Sequence, residues 1–161
     1  MAEGKDIIQE YIWIGVIIAM LATFLIILGY VSEAKGFDTP SSAVTCDVRQ
    51  VRKGEILTPG VKEVAPGVYE VNLKARMWAW IPNTIEVVNP TKIIFKVTSE
   101  DVVHGFEIVG TPVNFMVFPG YIAEIQWEVP EDFEGTYLFL CNEYCGLGHD
   151  TMWGQLIIKR E

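Results

Sequence analysis

The chain is short of basic charge and of the side chains that usually bind metals. Its 161 residues include two histidines, three cysteines and twelve Lys and Arg, against twenty-one Asp and Glu. A net charge of −9 disfavours nucleic acid, whose phosphates repel an acidic surface. No C-x-x-C-H run occurs, which excludes covalent haem attachment on motif grounds. Internal repeats and low-complexity tracts are also missing. One stretch has no charge at all, and it is informative.

From Tyr11 to Ser32 there are 22 residues without a charge, rich in Ile, Leu, Val and Ala. As a helix this run is about 33 Å long, enough for a hydrocarbon core of about 30 Å. Tyr11, Trp13 and Tyr30 lie near its ends, where aromatic rings favour the membrane interface. A cleaved signal would have a shorter apolar region, a basic start and a small-residue cleavage site. Here the run is preceded by Glu3, Lys5, Asp6 and Glu10, so it reads as a single-pass anchor. Residues 1–36 form this N-terminal segment, with the helix over about 11–32. Lysine counting says almost nothing about its orientation.

Residues 37–66 read as a connector and approach, because Gly36, Pro40, Gly54, Pro59, Gly60 and Pro66 interrupt any sustained period. Cys46 falls here, far from the other cysteines, and receives no function. From residue 67 the pattern changes. Tyr69, Val71, Leu73, Ala75 and Met77 alternate with polar residues, as do Ala123, Ile125, Trp127 and Val129. Each run predicts a strand with one buried face. Further strands are expected at 85–88, 92–97, 105–109, 113–117, 135–140 and 153–159. Turn signals at Asn89-Pro90, Gly110-Thr111-Pro112 and Pro119-Gly120 separate several of them. The spacing predicts an all-β sandwich or barrel over 67–161.

The chemistry is concentrated between the last two expected strands. Cys141, Cys145, His149 and Met152 follow the spacing C-x3-C-x3-H-x2-M within twelve residues. Sulfur ligands with imidazole suit copper, zinc or iron–sulfur chemistry, and a thioether favours copper or haem iron over zinc. A mononuclear blue-copper site needs one thiolate and two imidazoles. Two thiolates can bridge a pair of metals, and His104 and His149 provide one imidazole for each. The cluster therefore reads as a dinuclear, thiolate-bridged copper site. The plainer alternative is a disulfide between the two cysteines, as expected in exported proteins. Gly146 and Gly148 would let the loop wrap closely around a metal.

C-x-E-x-C-G-x-x-H-x-x-M resembles the copper-A signature of subunit II of haem–copper cytochrome oxidases. Val103-His104-Gly105-Phe106 and Phe118-Pro119-Gly120 extend the resemblance over most of the chain. The single span and short length are most similar to the ba-type (B family) members. The resemblance implies a Greek-key cupredoxin β-sandwich behind one transmembrane helix. It also implies that Cys141 and Cys145 bridge two coppers and that His104 and His149 cap one each. Met152 and the Glu143 carbonyl would be the remaining, weaker ligands.

Further expectations follow from the resemblance. A c-type cytochrome would donate electrons, and haem in subunit I would receive them for oxygen reduction to water. With both histidines committed, this chain has no site for oxygen reduction itself. Trp78 and Trp80, two apart and expected on one strand face, would form the patch where electrons enter. Glu10, at the cytoplasmic end of the helix, would lie near a proton channel of subunit I. The Glu143 carboxylate could hold magnesium at the subunit I interface, although ba-type members tend to have Gln there. The copper domain would lie outside the plasma membrane, with the N-terminus in the cytoplasm. Residues 37–161 carry seventeen acids and ten bases, which could steer a basic donor or merely maintain solubility. Two alternatives are a membrane-tethered copper chaperone or store, and the copper-A domain of a nitrous oxide reductase.

Overall fold

The computed structural model describes residues 3–35 and 42–161. It divides into two compact units, Met1–Phe37 and Asp38–Glu161, each described by itself. The first is a single helix, α1 (Glu3–Lys35). Its stretch from Ile7 to Ala34 has a mean hydropathy of 2.7, long and apolar enough to cross a membrane. The helix thus extends past the uncharged run at both ends and includes Glu10 and Glu33.

The second unit is a two-sheet sandwich. Its strands are β1 (Ser42–Thr45), β2 (Gly60–Ala65), β3 (Val68–Arg76), β4 (Ala79–Ile81), β5 (Thr84–Val88) and β6 (Lys92–Ser99). They continue with β7 (His104–Ile108), β8 (Asn114–Val117), β9 (Tyr121–Glu128), β10 (Gly135–Leu140) and β11 (Trp153–Lys159). One sheet runs β1-β9-β6-β3-β2, with β4 paired to β3, and the other runs β5-β11-β10-β7-β8. Two pairings, β3 with β6 and β5 with β11, are parallel, so the chain crosses between the sheets and does not meander within one.

The alternating residues behave as their period demands. In β9, Ala123, Ile125 and Trp127 are buried while Gln126 and Glu128 face water. Phe106 lies at the centre of the core, with Phe95, Phe115, Phe139 and Trp80 ring centroids 5.2–5.6 Å away. Such tilted and edge-on contacts each add about 0.5–1.5 kcal/mol beyond area burial.

Residues 42–65 are more ordered than a connector. β1 and β2 are the outer strands of the first sheet, and a short helix, α2 (Val48–Lys53), lies between them. Asp47 caps that helix by accepting from the Arg49 N–H at 2.8 Å, and Gly54 ends it at φ 78°. Buried Lys74 donates to the Val51 carbonyl at 2.6 Å and pairs with Glu100 at 3.6 Å. That tie holds α2 against the sheet.

Candidate metal centre

Topology brings the ligand candidates to one end of the second sheet. β10 pairs antiparallel with β7, with Leu140 opposite Glu107. The end of β10, where Cys141 follows, is therefore the end at which His104 begins β7. β10 also pairs with β11, with Leu140 opposite Trp153, and the Cys141 N–H donates to the Met152 carbonyl at 3.0 Å. The loop 141–152 leaves and re-enters the sheet beside the first residue of β7.

His104, Cys141 and Cys145 are buried, and their ligand atoms lie within 4.8 Å of one another. The two sulfurs are 3.7 Å apart. A disulfide needs about 2.05 Å, and all three cysteines are free thiols. Each sulfur has its own pair of companions. Cys141 Sγ lies 3.7 Å from His104 Nδ1 and 3.1 Å from the Glu143 carbonyl. Cys145 Sγ lies 3.6 Å from His149 Nδ1 and 3.8 Å from Met152 Sδ. Two sulfurs bound tetrahedrally at about 2.3 Å to one ion lie about 3.7–3.8 Å apart, and a sulfur and an imidazole nitrogen about 3.6 Å apart. These spacings suit soft first-row metals, and the donor set is thiolate, imidazole, thioether and carbonyl.

His104 is oriented by a residue the sequence reading passed over. Asp101 Oδ1 accepts from His104 Nε2 at 2.9 Å, which leaves Nδ1 turned to Cys141. The same carboxylate accepts from the N–H of Val102 and, through Oδ2, of Met77, both at 2.7 Å. Its only signal in the sequence is the D-x-x-H spacing. Burial works against the Asp101 charge, but these hydrogen bonds outweigh it and hold the carboxyl below its usual range. Burial likewise opposes a charged His104, yet contact with Cys141 and Asp101 raises it.

The two thiols separate. Burial pushes Cys141 up, but hydrogen bonds from His104 and from the backbone of Gly105 and Glu143 bring it down to about 6. Burial, and then the neighbouring Cys141 sulfur, push Cys145 up to about 12. Without metal these surroundings favour a thiolate at Cys141 and a thiol at Cys145 near neutral pH, and loading both sulfurs on a metal would release the second proton.

The two tryptophans do not share a face. β3 ends at Arg76 and β4 begins at Ala79, so a turn, not a continuous strand, carries Trp78. Trp78 is 41% exposed, whereas Trp80 is 2% exposed and packs edge-on against Phe106, 6.2 Å from the His104 ring. Trp78 covers the ligand loop: a Cβ at Gly148 would meet its ring at 2.6 Å, and one at Gly146 at 3.1 Å. Those glycines permit the ring to lie on the loop. Tyr144 and Leu147, 75% and 92% exposed, lie on the same loop. Within this chain the Glu143 carboxylate joins no cluster of metal-binding groups among the described residues, so the magnesium expectation gains no support.

Comparison with known proteins agrees with this geometry. Residues 69–159 match the periplasmic domain of cytochrome c oxidase subunit II. A cytochrome c oxidase subunit 2 of Thermus thermophilus is 34% identical over 152 residues, 91% of this chain and 89% of that protein. Another Thermus thermophilus subunit 2 is 39% identical over 99 residues, covering 62% of this chain and 72% of that one. Similarity to Thermus subunits fits the resemblance to ba-type members. A chain from a cryo-EM structure of a heme–copper terminal oxidase dimer superposes with a TM-score of 0.74 at 28% identity. The match covers 94% of this chain and 99% of that one. The periplasmic domain of subunit II of the Bradyrhizobium japonicum cytochrome oxidase superposes at 0.50 with 19% identity, over 58% of this chain and 84% of that one, a likeness of fold. The sandwich is a cupredoxin fold behind one apolar helix, and the chain belongs to the cytochrome c oxidase subunit II family.

Proposed function

We propose that this chain is the electron-transfer subunit of a haem–copper oxidase, taking electrons from a c-type cytochrome and passing them to haem in subunit I. The observation that carries this reading is the paired arrangement of the ligand atoms. Two sulfurs stand 3.7 Å apart, each with its own imidazole nitrogen at 3.6–3.7 Å. Cys141 and Cys145 would bridge two coppers, with His104 and the Glu143 carbonyl on one side and His149 and Met152 on the other. A thiolate-bridged copper pair, when bound, gains and loses one electron.

The chain's own residues supply a stiff cage for that change. Cys141, Cys145, Met152 and His104 are buried, and three of the four are adjacent to or within strands. Such placement limits rearrangement and excludes water. It also counts against the chaperone or store reading, which needs exposed, exchangeable sulfur. Trp78, exposed and packed on the ligand loop, is the residue we assign to electron uptake; Trp80 serves the core beneath it. Trp78→Leu should slow reduction by a c-type cytochrome at least tenfold with the copper spectrum unchanged. An unaltered rate would leave the ring a packing residue.

In this reading the copper domain lies at the outer face of the plasma membrane and the N-terminus in the cytoplasm, which the match to a periplasmic domain and the single apolar helix support. In that orientation Glu10 stands near the cytoplasmic end of α1, where a carboxylate can collect protons for subunit I. Glu10→Gln should then slow oxygen reduction by the assembled oxidase, with copper content normal. Wild-type turnover in the assembled variant would remove that role.

A further inference from the structure

The four residues between Cys141 and Gly146 are held in an unusual way. β10 ends at Leu140, and the next internal loop bond joins the His149 N–H to the Gly146 carbonyl. Among the described residues, positions 142–145 make no backbone–backbone hydrogen bond beyond the strands. Yet this is the segment that carries the Glu143 carbonyl to within 3.1 Å of Cys141 Sγ.

One side chain fastens it. The Asn142 amide donates to Glu107 Oε2 at 3.1 Å and to Asn114 Oδ1 at 3.0 Å. Glu107 and Asn114 lie directly opposite each other on β7 and β8. β7 is also the strand that begins with His104. The amide therefore spans the hairpin that supplies one ligand while it belongs to the loop that supplies the others. Gly105 makes room for it: a Cβ there would lie 1.9 Å from Asn142 Oδ1. No rearrangement short of moving Asn142 relieves such an overlap.

We propose that Asn142 is a positioning residue that latches the loop to the β7–β8 hairpin and so fixes the Glu143 carbonyl at the metal centre. The proposal rests on the copper-A reading above for the identity of the metal, but the latch itself belongs to the protein. Both amide protons are used, and Glu107 and Asn114 provide one acceptor each. A carboxylate at 142 would lose both donors and meet the Glu107 charge. A methyl group at 105 would push the same amide away from its partners. Asn142→Asp and Gly105→Ala should therefore share one phenotype.

The test uses the full-length chain in detergent, with and without copper. In the metal-free chain, Asn142→Ala should raise amide hydrogen exchange at the hydrogen-bonded N–H groups of the loop, Cys141 and His149, about five- to thirtyfold, the loss of one or two net hydrogen bonds, while β7 and β10 keep their protection. In the copper-loaded chain the same variant should keep both coppers but change their hyperfine pattern. Asn142→Asp should do likewise, and Glu107→Gln added to it should restore much of the wild-type behaviour, because donor and acceptor have changed places. Wild-type exchange and spectra in Asn142→Ala would overturn the latch. A wild-type chain that takes up no copper pair would instead overturn the functional reading, and the exchange result would still judge the latch.

Discussion

The two imidazoles at the centre stand in different surroundings. His104 is fully buried at the start of a strand, with Nε2 bonded to Asp101 at 2.9 Å and Trp80 against its ring. His149 lies in a short 3-10 turn of the ligand loop, half-buried, with Tyr144 5.9 Å away between ring centroids. Among the described residues no hydrogen bond reaches its second ring nitrogen. One imidazole is set by the sheet and by a carboxylate, and the other by a loop at the surface. Rigidity and access are thus divided between the two imidazoles, as a site needs if it must stay stiff and still meet a partner.

The largest test of that division is Asp101→Asn set beside Tyr144→Leu. Asparagine leaves the Met77 N–H or the His104 Nε2–H poorly matched and removes a charge next to a ligand. Thermal unfolding of the full chain should show a loss of about 1–3 kcal/mol for Asp101→Asn, and its copper potential should rise. Tyr144→Leu, at an exposed ring, should stay within about 0.5 kcal/mol. Equal losses in the two variants would erase the contrast.

A smaller effect is the titration of the metal-free site. With Cys141 brought down to about 6 and Cys145 up to about 12, one thiolate should be present at neutral pH. Its ultraviolet absorbance should fall as pH drops through about 6. Because the folded value lies below the ordinary 9.0, Cys141 stabilises the metal-free fold above about pH 9. That contribution should decline as pH falls from there towards about 6. A single absorbance step near pH 9 would show that the two thiols are equivalent.

The same contrast explains what was legible in the sequence. Period-two alternation marked the strands from Val68 onward, most plainly β9 with its one wet face, and it held in β3 even though Glu70 and Asn72 are half-buried and Lys74 is buried. The ligand spacing was equally plain, since few other arrangements use two thiols, an imidazole and a thioether. Residues 42–65 carried no such mark. β1 is only four residues long, and β2 is an edge strand with little buried, so neither shows a strong alternation. Trp78 and Trp80 misled because period two assumes a continuous strand, and the turn after Arg76 rotates one ring outward. Asp101 was missed because it acts through the candidate ligand His104 and depends on four acceptor contacts that spacing does not encode.

The central claim is that the two thiolates bridge a pair of coppers, each capped by one imidazole. Metal analysis of the full chain joined to its electron paramagnetic resonance spectrum tests it most directly. The account predicts two coppers per chain, with one unpaired electron shared evenly between both nuclei, and loss of the pair in Cys141→Ser. One copper per chain, a spectrum localised on a single nucleus, or zinc with no visible absorption would contradict it.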